Sequence, residues 1–230
     1  MTWFGDDLRA GHCRIRPKVV DAEVNGHSTA WRVAGLLRAE VGEVSADGGP
    51  PAYGGTPSDE SVVAAIAEIR ARGLKVTLYP FVMMDIAPDN ALPDPYGGEA
   101  GQPAYPWRGR ITCTPAPGVA GSVDKTPAVT GQVAAFCGAA RAGDYAVGAE
   151  TVAFSGNADD WGYRRMILHY AALAEAAGGV DAFLIGSELR GLTTLRDGPS
   201  SYPFVTQLCD LAVEVRALVG PATKITYGAD

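Results

Sequence analysis

Apolar positions at helical spacing, then glycine, then a short β-rich run: this order occurs three times along the chain. In the first round Val62, Val63, Ile66 and Ile69 share a helical face. Thr56-Pro57-Ser58-Asp59 supplies the start, with a hydroxyl cap, proline at the first helical position and an acid in the first turn. Gly73 ends the helix, and Leu74–Phe81 follows as a strand. In the second round Asn157, Asp159 and Asp160 precede the stripe Trp161, Met166, Ile167, Tyr170, Leu173 and Ala174. Gly178-Gly179 leads into the strand Val180–Gly186. The third starts near Ser201, with Pro203 early and Phe204, Leu208, Leu211, Val215 and Leu218 as its stripe, and passes Gly220-Pro221 to Lys224–Tyr227. The pattern predicts helices near 58–72, 158–177 and 203–219, and strands near 75–82, 181–187 and 224–228. Trp3-Phe4 adds a strand near 1–5, cut so close to Met1 that the domain is expected to begin upstream.

Ala182–Ser187 is apolar or small without alternation, as in a strand covered by helices on both faces. Strands alternating with helices imply parallel pairing through crossovers, so the expected class is α/β, either a (β/α) barrel or an open doubly wound sheet. No GxGxxG or GxxxxGK[ST] follows a strand, which lowers the weight of nucleotide-binding versions. Residues 8–58 are irregular, though alternation within Thr29–Leu37 permits a short strand or hairpin. Residues 82–157 form one long insertion after a strand end. Its aromatic density argues against disorder, and Val129, Val133 and Phe136 predict a helix within Thr126–Ala140.

A formal charge of −7 argues against nucleic acid as the main partner. The four cysteines show no CxxC and no metal-ligand spacing, so neither metal nor cofactor is expected; Cys209 reads as core. No stretch is long and apolar enough for a membrane span. The opening residues carry no signal-peptide pattern, so synthesis in the cytoplasm with reduced thiols is expected.

Carboxylates follow each strand: Asp6 and Asp7, Asp85, Glu188, and Asp230. Parallel strands bring all four ends to one rim, where α/β folds place their chemistry. The plainer account is that strand-end acids are solvated or cap the next helix. For Glu188 that account is an ion pair with Arg190 or Arg196. Glycoside hydrolysis uses two carboxyl groups, about 5–5.5 Å apart for retention and about 6.5–9.5 Å for inversion. An acid set against apolar strand residues suits proton donation, and Glu188 fits that role. Asp85 and Asp230 are the candidate partners. Tyr96, Tyr105 and Trp107, with Arg108 and Arg190 nearby, suit a sugar, whose C–H face stacks on rings and whose hydroxyls bond to charged groups. The competing role for the aromatics is to pin the insertion to the barrel. A Ser-His-Asp triad lacks its GxSxG elbow, and His12, His27 and His169 show no catalytic pattern; His169, within a helix, reads as structural.

Six segments go further: WFGDDLR (3–9), YPFVMMDI (79–86), NALPDPYGG (90–98), QPAYPWRGRITC (102–113), WGYRRMILHYA (161–171) and FLIGSELRGL (183–192). Together they resemble the glycoside-hydrolase-like TIM-barrel domain of the host-specificity, or baseplate hub, protein of gene transfer agents and related siphophages. The resemblance spans nearly the whole chain. It implies a (β/α) TIM-barrel-like fold, here an incomplete barrel of about strands 2–5 with a long βα-loop insertion and two exposed strand edges. Trp3-Phe4 would end the second strand, Lys75–Phe81 form the third, Ala182–Ser187 the fourth and Lys224–Tyr227 the fifth. Glu188 would then stand where the retaining-glycosidase clan keeps its acid/base. That clan's nucleophile ends the seventh strand, and no residue here carries it over. The resemblance implies a tail-tip module that acts on or binds a cell-wall or capsular glycan among other phage-tail proteins, assembled into a phage-like particle. Its alternative is a non-catalytic structural or receptor-binding module of the tail.

Overall fold

A computed structural model describes residues 1–21 and 30–228. In chain order the elements are β1 (Thr2–Gly5), β2 (Ile15–Arg16), β3 (Arg32–Val33), β4 (Leu36–Leu37), α1 (Asp59–Ala71), β5 (Thr77–Leu78) and β6 (Phe81–Met84). Then follow α2 (Ala128–Cys137), β7 (Tyr145–Gly148), β8 (Thr151–Phe154), α3 (Tyr163–Ala176), β9 (Ala182–Leu184), the short α4 (Arg190–Thr193), α5 (Pro203–Val219) and β10 (Lys224–Thr226).

The parallel strands stand side by side in chain order. β1 pairs with β6, β5 with β9, and β9 with β10, all parallel. β5 and β6 are one strand divided at Tyr79-Pro80. Proline has no N–H and cannot donate to a ladder. The strand therefore changes partner there, from β9 before the break to β1 after it. Among the described residues the row does not close into a barrel, in keeping with a TIM-barrel-like domain that is incomplete. Two open edges were expected. β2 covers part of one, pairing antiparallel with β1 through Phe4↔Arg16 and Gly5↔Ile15. Beside β10, at the other end, lies an apolar groove of about 400 Å³ lined by Ile185, Leu208, Ala212 and Ile225.

α1 and α5 match the predicted helices to within a residue. Ser58 caps α1, its Oγ accepting from the Ser61 N–H at 3.1 Å. α3 starts five residues later than predicted. Asn157–Asp160 forms a turn instead, and the Asp160 carboxylate accepts from the backbone of Ala139 (2.7 Å) and Gly162 (3.2 Å), tying the end of α2 to the start of α3. α3 is buried on every side from Tyr163 to Ala174, so its apolar stripe understates its position. It packs against α1, α2, α5 and the β7–β8 hairpin. Buried charge requires partners. Arg164 Nε donates to the Ala140 carbonyl at 3.0 Å, and Arg165 donates to the Ala158 carbonyl at 2.8 Å with its guanidinium over Trp161. His169 Nε2 meets Asp59 Oδ1 at 2.8 Å, joining α3 to the first turn of α1. That is a structural role.

The alternation near Thr29–Leu37 becomes the β3–β4 hairpin, turning at Ala34-Gly35; Thr29 itself lies outside the described residues. The insertion helix is α2, and the β7–β8 hairpin was not anticipated. Cys209, expected in the core, is exposed: it lies off the buried stripe of Leu208, Leu211 and Val215 on α5.

The WFGDDLR segment anchors the insertion. Asp7 binds Arg9 through its backbone (2.8 Å) and its guanidinium (2.6 Å), and accepts from Gln102 Nε2 at 2.8 Å. The same Gln102 accepts from the Leu8 N–H through Oε1 at 2.8 Å, and Thr112 exchanges backbone bonds with Leu8 and Ala10. Burial raises the Asp7 pKa, but the bonds from Arg9 and Gln102 outweigh it and hold the carboxyl below its ordinary range. A depressed native value stabilises fully above the unfolded value, about 3.9, and that stabilisation is lost as pH falls through the native value. Urea midpoints should therefore fall as pH drops below about 4, and Asp7→Asn should flatten that fall. An unchanged acid limb in the variant would remove Asp7 from the balance.

Candidate functional site

Two polar clusters stand at the carboxyl ends of the parallel strands, joined by the insertion segment Tyr105-Pro106-Trp107-Arg108. The first is built around Glu188. Past β9 the chain runs through Ile185-Gly186-Ser187, and Glu188 then adopts φ +53°. A side-chain-bearing residue rarely takes this left-handed conformation, and such strain collects at functional sites. Glu188 Oε2 accepts from Trp107 Nε1 at 2.6 Å and lies 3.2 Å from the Arg108 guanidinium. The side chain is 41% exposed.

Arg108 is the anchor of this cluster and is only 6% exposed. Its guanidinium centre lies 3.6 Å from the centroid of the Phe81 ring. Nε donates to the Ser187 carbonyl at 3.1 Å, and Nη2 donates to Ser187 Oγ at 3.0 Å and to the Tyr79 hydroxyl at 3.4 Å. The Tyr79 hydroxyl and Ser187 Oγ also bond to each other. After β10 the Tyr227 hydroxyl accepts from the Leu189 N–H at 3.0 Å. The end of β5, the turn after β9 and the insertion thus meet around one buried cation. Gly191 makes a close backbone approach. A Cβ there would collide with the carbonyls of Gly109 and Ile111, so α4 docks backbone to backbone on the turn Arg108–Arg110.

The second cluster encloses Asp85, after β6. Its side chain has no exposure. Lys18 Nζ donates to Oδ2 at 2.5 Å, Ser45 Oγ to Oδ1 at 2.5 Å, and the Ser45 N–H reaches both oxygens at 3.3 and 3.2 Å. Ser45 Oγ also lies 3.3 Å from the Tyr105 hydroxyl. Tyr105 packs edge-on against Tyr53, with centroids 5.7 Å apart, and takes φ +46°. Burial and the Asp85 charge beside it raise the Tyr53 pKa. Both Asp85 oxygens are engaged within the protein, so the cluster ties residues 18 and 45 to the strand end.

Of the rim residues predicted from sequence, Trp107, Arg108 and Glu188 come together. Glu188 was expected against apolar strand residues or paired with Arg190 or Arg196. Its partners among the described residues are Trp107 and Arg108, because the left-handed turn directs it toward the insertion. Arg190 opens α4 and is exposed, its carbonyl accepting from Thr194 Oγ1 at 2.8 Å. Asp85 and Tyr105 belong to the second cluster. Asp6 accepts from the Arg14 N–H, and Asp7 from Arg9 and Gln102, so neither strand-β1 acid is among the partners of Glu188. Asp230 and His27 lie outside the described residues. Tyr96 bonds to the Arg110 carbonyl at 2.9 Å and stacks under its guanidinium, which pins the loop. Lys18, Ser45, Tyr79 and Ser187 were not singled out from sequence. A tyrosine just before the strand-breaking Pro80 was the one available signal.

Among the described residues no group of three His, Cys, Asp or Glu side chains is placed to hold a metal ion, and no helix is long and apolar enough to cross a membrane. No curated protein matches the chain. Residues 161–230 match the family model described as the GTA TIM-barrel-like domain. That stretch carries α3, β9, Glu188, α4, α5 and β10, so over the segment that includes Glu188 the chain is similar to a gene transfer agent TIM-barrel-like domain.

Proposed function

We propose that the chain is part of a tail-tip module of a gene-transfer-agent or phage-like particle that engages a cell-envelope glycan at this rim. Glu188 is its acid/base, Trp107 and Arg190 contact the sugar, and the buried Arg108 holds the strand ends beneath them. One observation carries the reading: a strained, half-exposed carboxylate at a parallel strand end, held from the insertion by an indole and a buried guanidinium. Other tail proteins are the expected assembly partners.

A second reading has its own support. Glycosidic cleavage uses two carboxyl groups, yet among the described strand-end acids Asp85 is sealed by Lys18 and Ser45, and Asp7 is bound by Arg9 and Gln102. This favours a module that binds glycan, or a receptor, without cutting it. Purified sacculi separate the two. Release of reducing ends by the chain, lost in Glu188→Gln with unchanged thermal unfolding, supports hydrolysis. Co-sedimentation with sacculi without release supports binding alone. Neither release nor co-sedimentation would sink the peptidoglycan form of the proposal and turn the test to capsule.

A further inference from the structure

The Trp107 indole makes two contacts that define its place. Its N–H donates to Glu188 Oε2 at 2.6 Å. Its six-membered ring lies over Gly109. A Cβ built there would meet Cη2, Cζ2 and Cζ3 at nearly equal distances, well inside van der Waals contact. Near-equal spacing to three successive ring atoms puts the glycine under a face of the ring, not at its edge. The residue is nevertheless 46% exposed. Its backbone is fixed because Arg108, the next residue, is locked beneath Phe81 and Ser187.

The Trp107 N–H donates to Glu188 Oε2, and the Arg108 guanidinium lies 3.2 Å from the same oxygen. No donor among the described residues bonds to Oε1, so Oε1 is the oxygen presented to a ligand. We infer that Trp107 is the positioning residue for Glu188, seated on Gly109, and that its open face is the platform for a pyranose ring lying beside Oε1. The ligand class is a glycan whose sugar shows an unsubstituted C–H face. This rests on the glycan reading for its ligand, but not for the positioning contact.

Gly109 supplies the lever. The clash created by Gly109→Ala is with the far end of a side chain, so the indole swings away while the backbone stays. Trp107→Phe keeps a ring but removes the N–H. The chain has four indoles, and the other three, on Trp3, Trp31 and Trp161, are buried. In ¹H–¹⁵N spectra one indole signal should shift in Glu188→Gln and in Gly109→Ala, and the signal itself should vanish in Trp107→Phe. On soluble glycan strands freed by amidase, Trp107→Phe should lower kcat about tenfold or more, equivalent to one hydrogen bond to a charged group, and leave KM nearly unchanged. Gly109→Ala should raise KM as well. An indole signal indifferent to Glu188, or full kcat in Trp107→Phe, would overturn the inference. If the parent chain cleaves nothing, the hydrolase reading fails, and the spectra alone decide the positioning contact.

Discussion

Asp85→Asn is expected to cost about 3–5 kcal/mol of stability, the range for removing one partner of a buried ion pair. The carboxylate is fully covered and receives Lys18 and both donors of Ser45. Asparagine keeps the shape but turns an N–H₂ group toward donors. It also leaves the Lys18 ammonium without its counter-charge, in a setting where that side chain is 23% exposed. The residual exposure of Lys18 places the expected loss toward the lower end, about 3 kcal/mol. Urea unfolding reads it as a lower midpoint at unchanged slope. A midpoint within error of the parent would mean that the Ser45 segment holds without the pair. Because Ser45 also reaches the Tyr105 hydroxyl, the loss should loosen the strap that carries Trp107.

Arg108→Met is expected to cost about 3 kcal/mol. Methionine fills much of the same space, so the loss isolates the guanidinium. A desolvated cation over a ring contributes about 2 kcal/mol. Leaving the Ser187 carbonyl without its donor adds about 1–3 kcal/mol. These overlap, since all the contacts belong to one network. The 3.2 Å pair with Glu188 adds little to stability because that carboxylate is half in water. Its loss should instead show in the Trp107 indole signal. Arg108→Lys should recover little, because an ammonium neither stacks flat on Phe81 nor reaches Ser187 Oγ and its carbonyl together. A lysine variant as stable as the parent would show that charge alone suffices.

The alternation of helices and strands was legible because it is written locally. A stripe at helical spacing that runs out at a glycine marks α1 and α5 wherever they pack. Local rules failed where tertiary partners used the same residues differently. Asn157, Asp159 and Asp160 look like a helix start, but Asp160 serves the backbone of Ala139 across the gap to α2. The β7–β8 hairpin turns at Ala149-Glu150, with Glu150 at φ +60°, so the Asn-Gly or Asp-Gly signature of tight hairpins is missing. Cys209 shows the same limit on a smaller scale: membership of an apolar helix does not say which face it takes.

At the rim, the sequence by itself determined which acids follow parallel strands, since strand direction follows from the helix–strand rhythm. It did not determine which acids the fold buries. Asp7, Asp85 and Glu188 all follow strands in the pattern, yet Asp7 and Asp85 are bound up in the scaffold while the Glu188 side chain stays 41% exposed. That choice was made by side chains from distant sequence: Gln102 on Asp7, Lys18 and Ser45 on Asp85, and Trp107 with Arg108 on Glu188. Such contacts leave no local period. They arise when loop closure brings segments dozens of residues apart to one strand end, and only the folded chain specifies them.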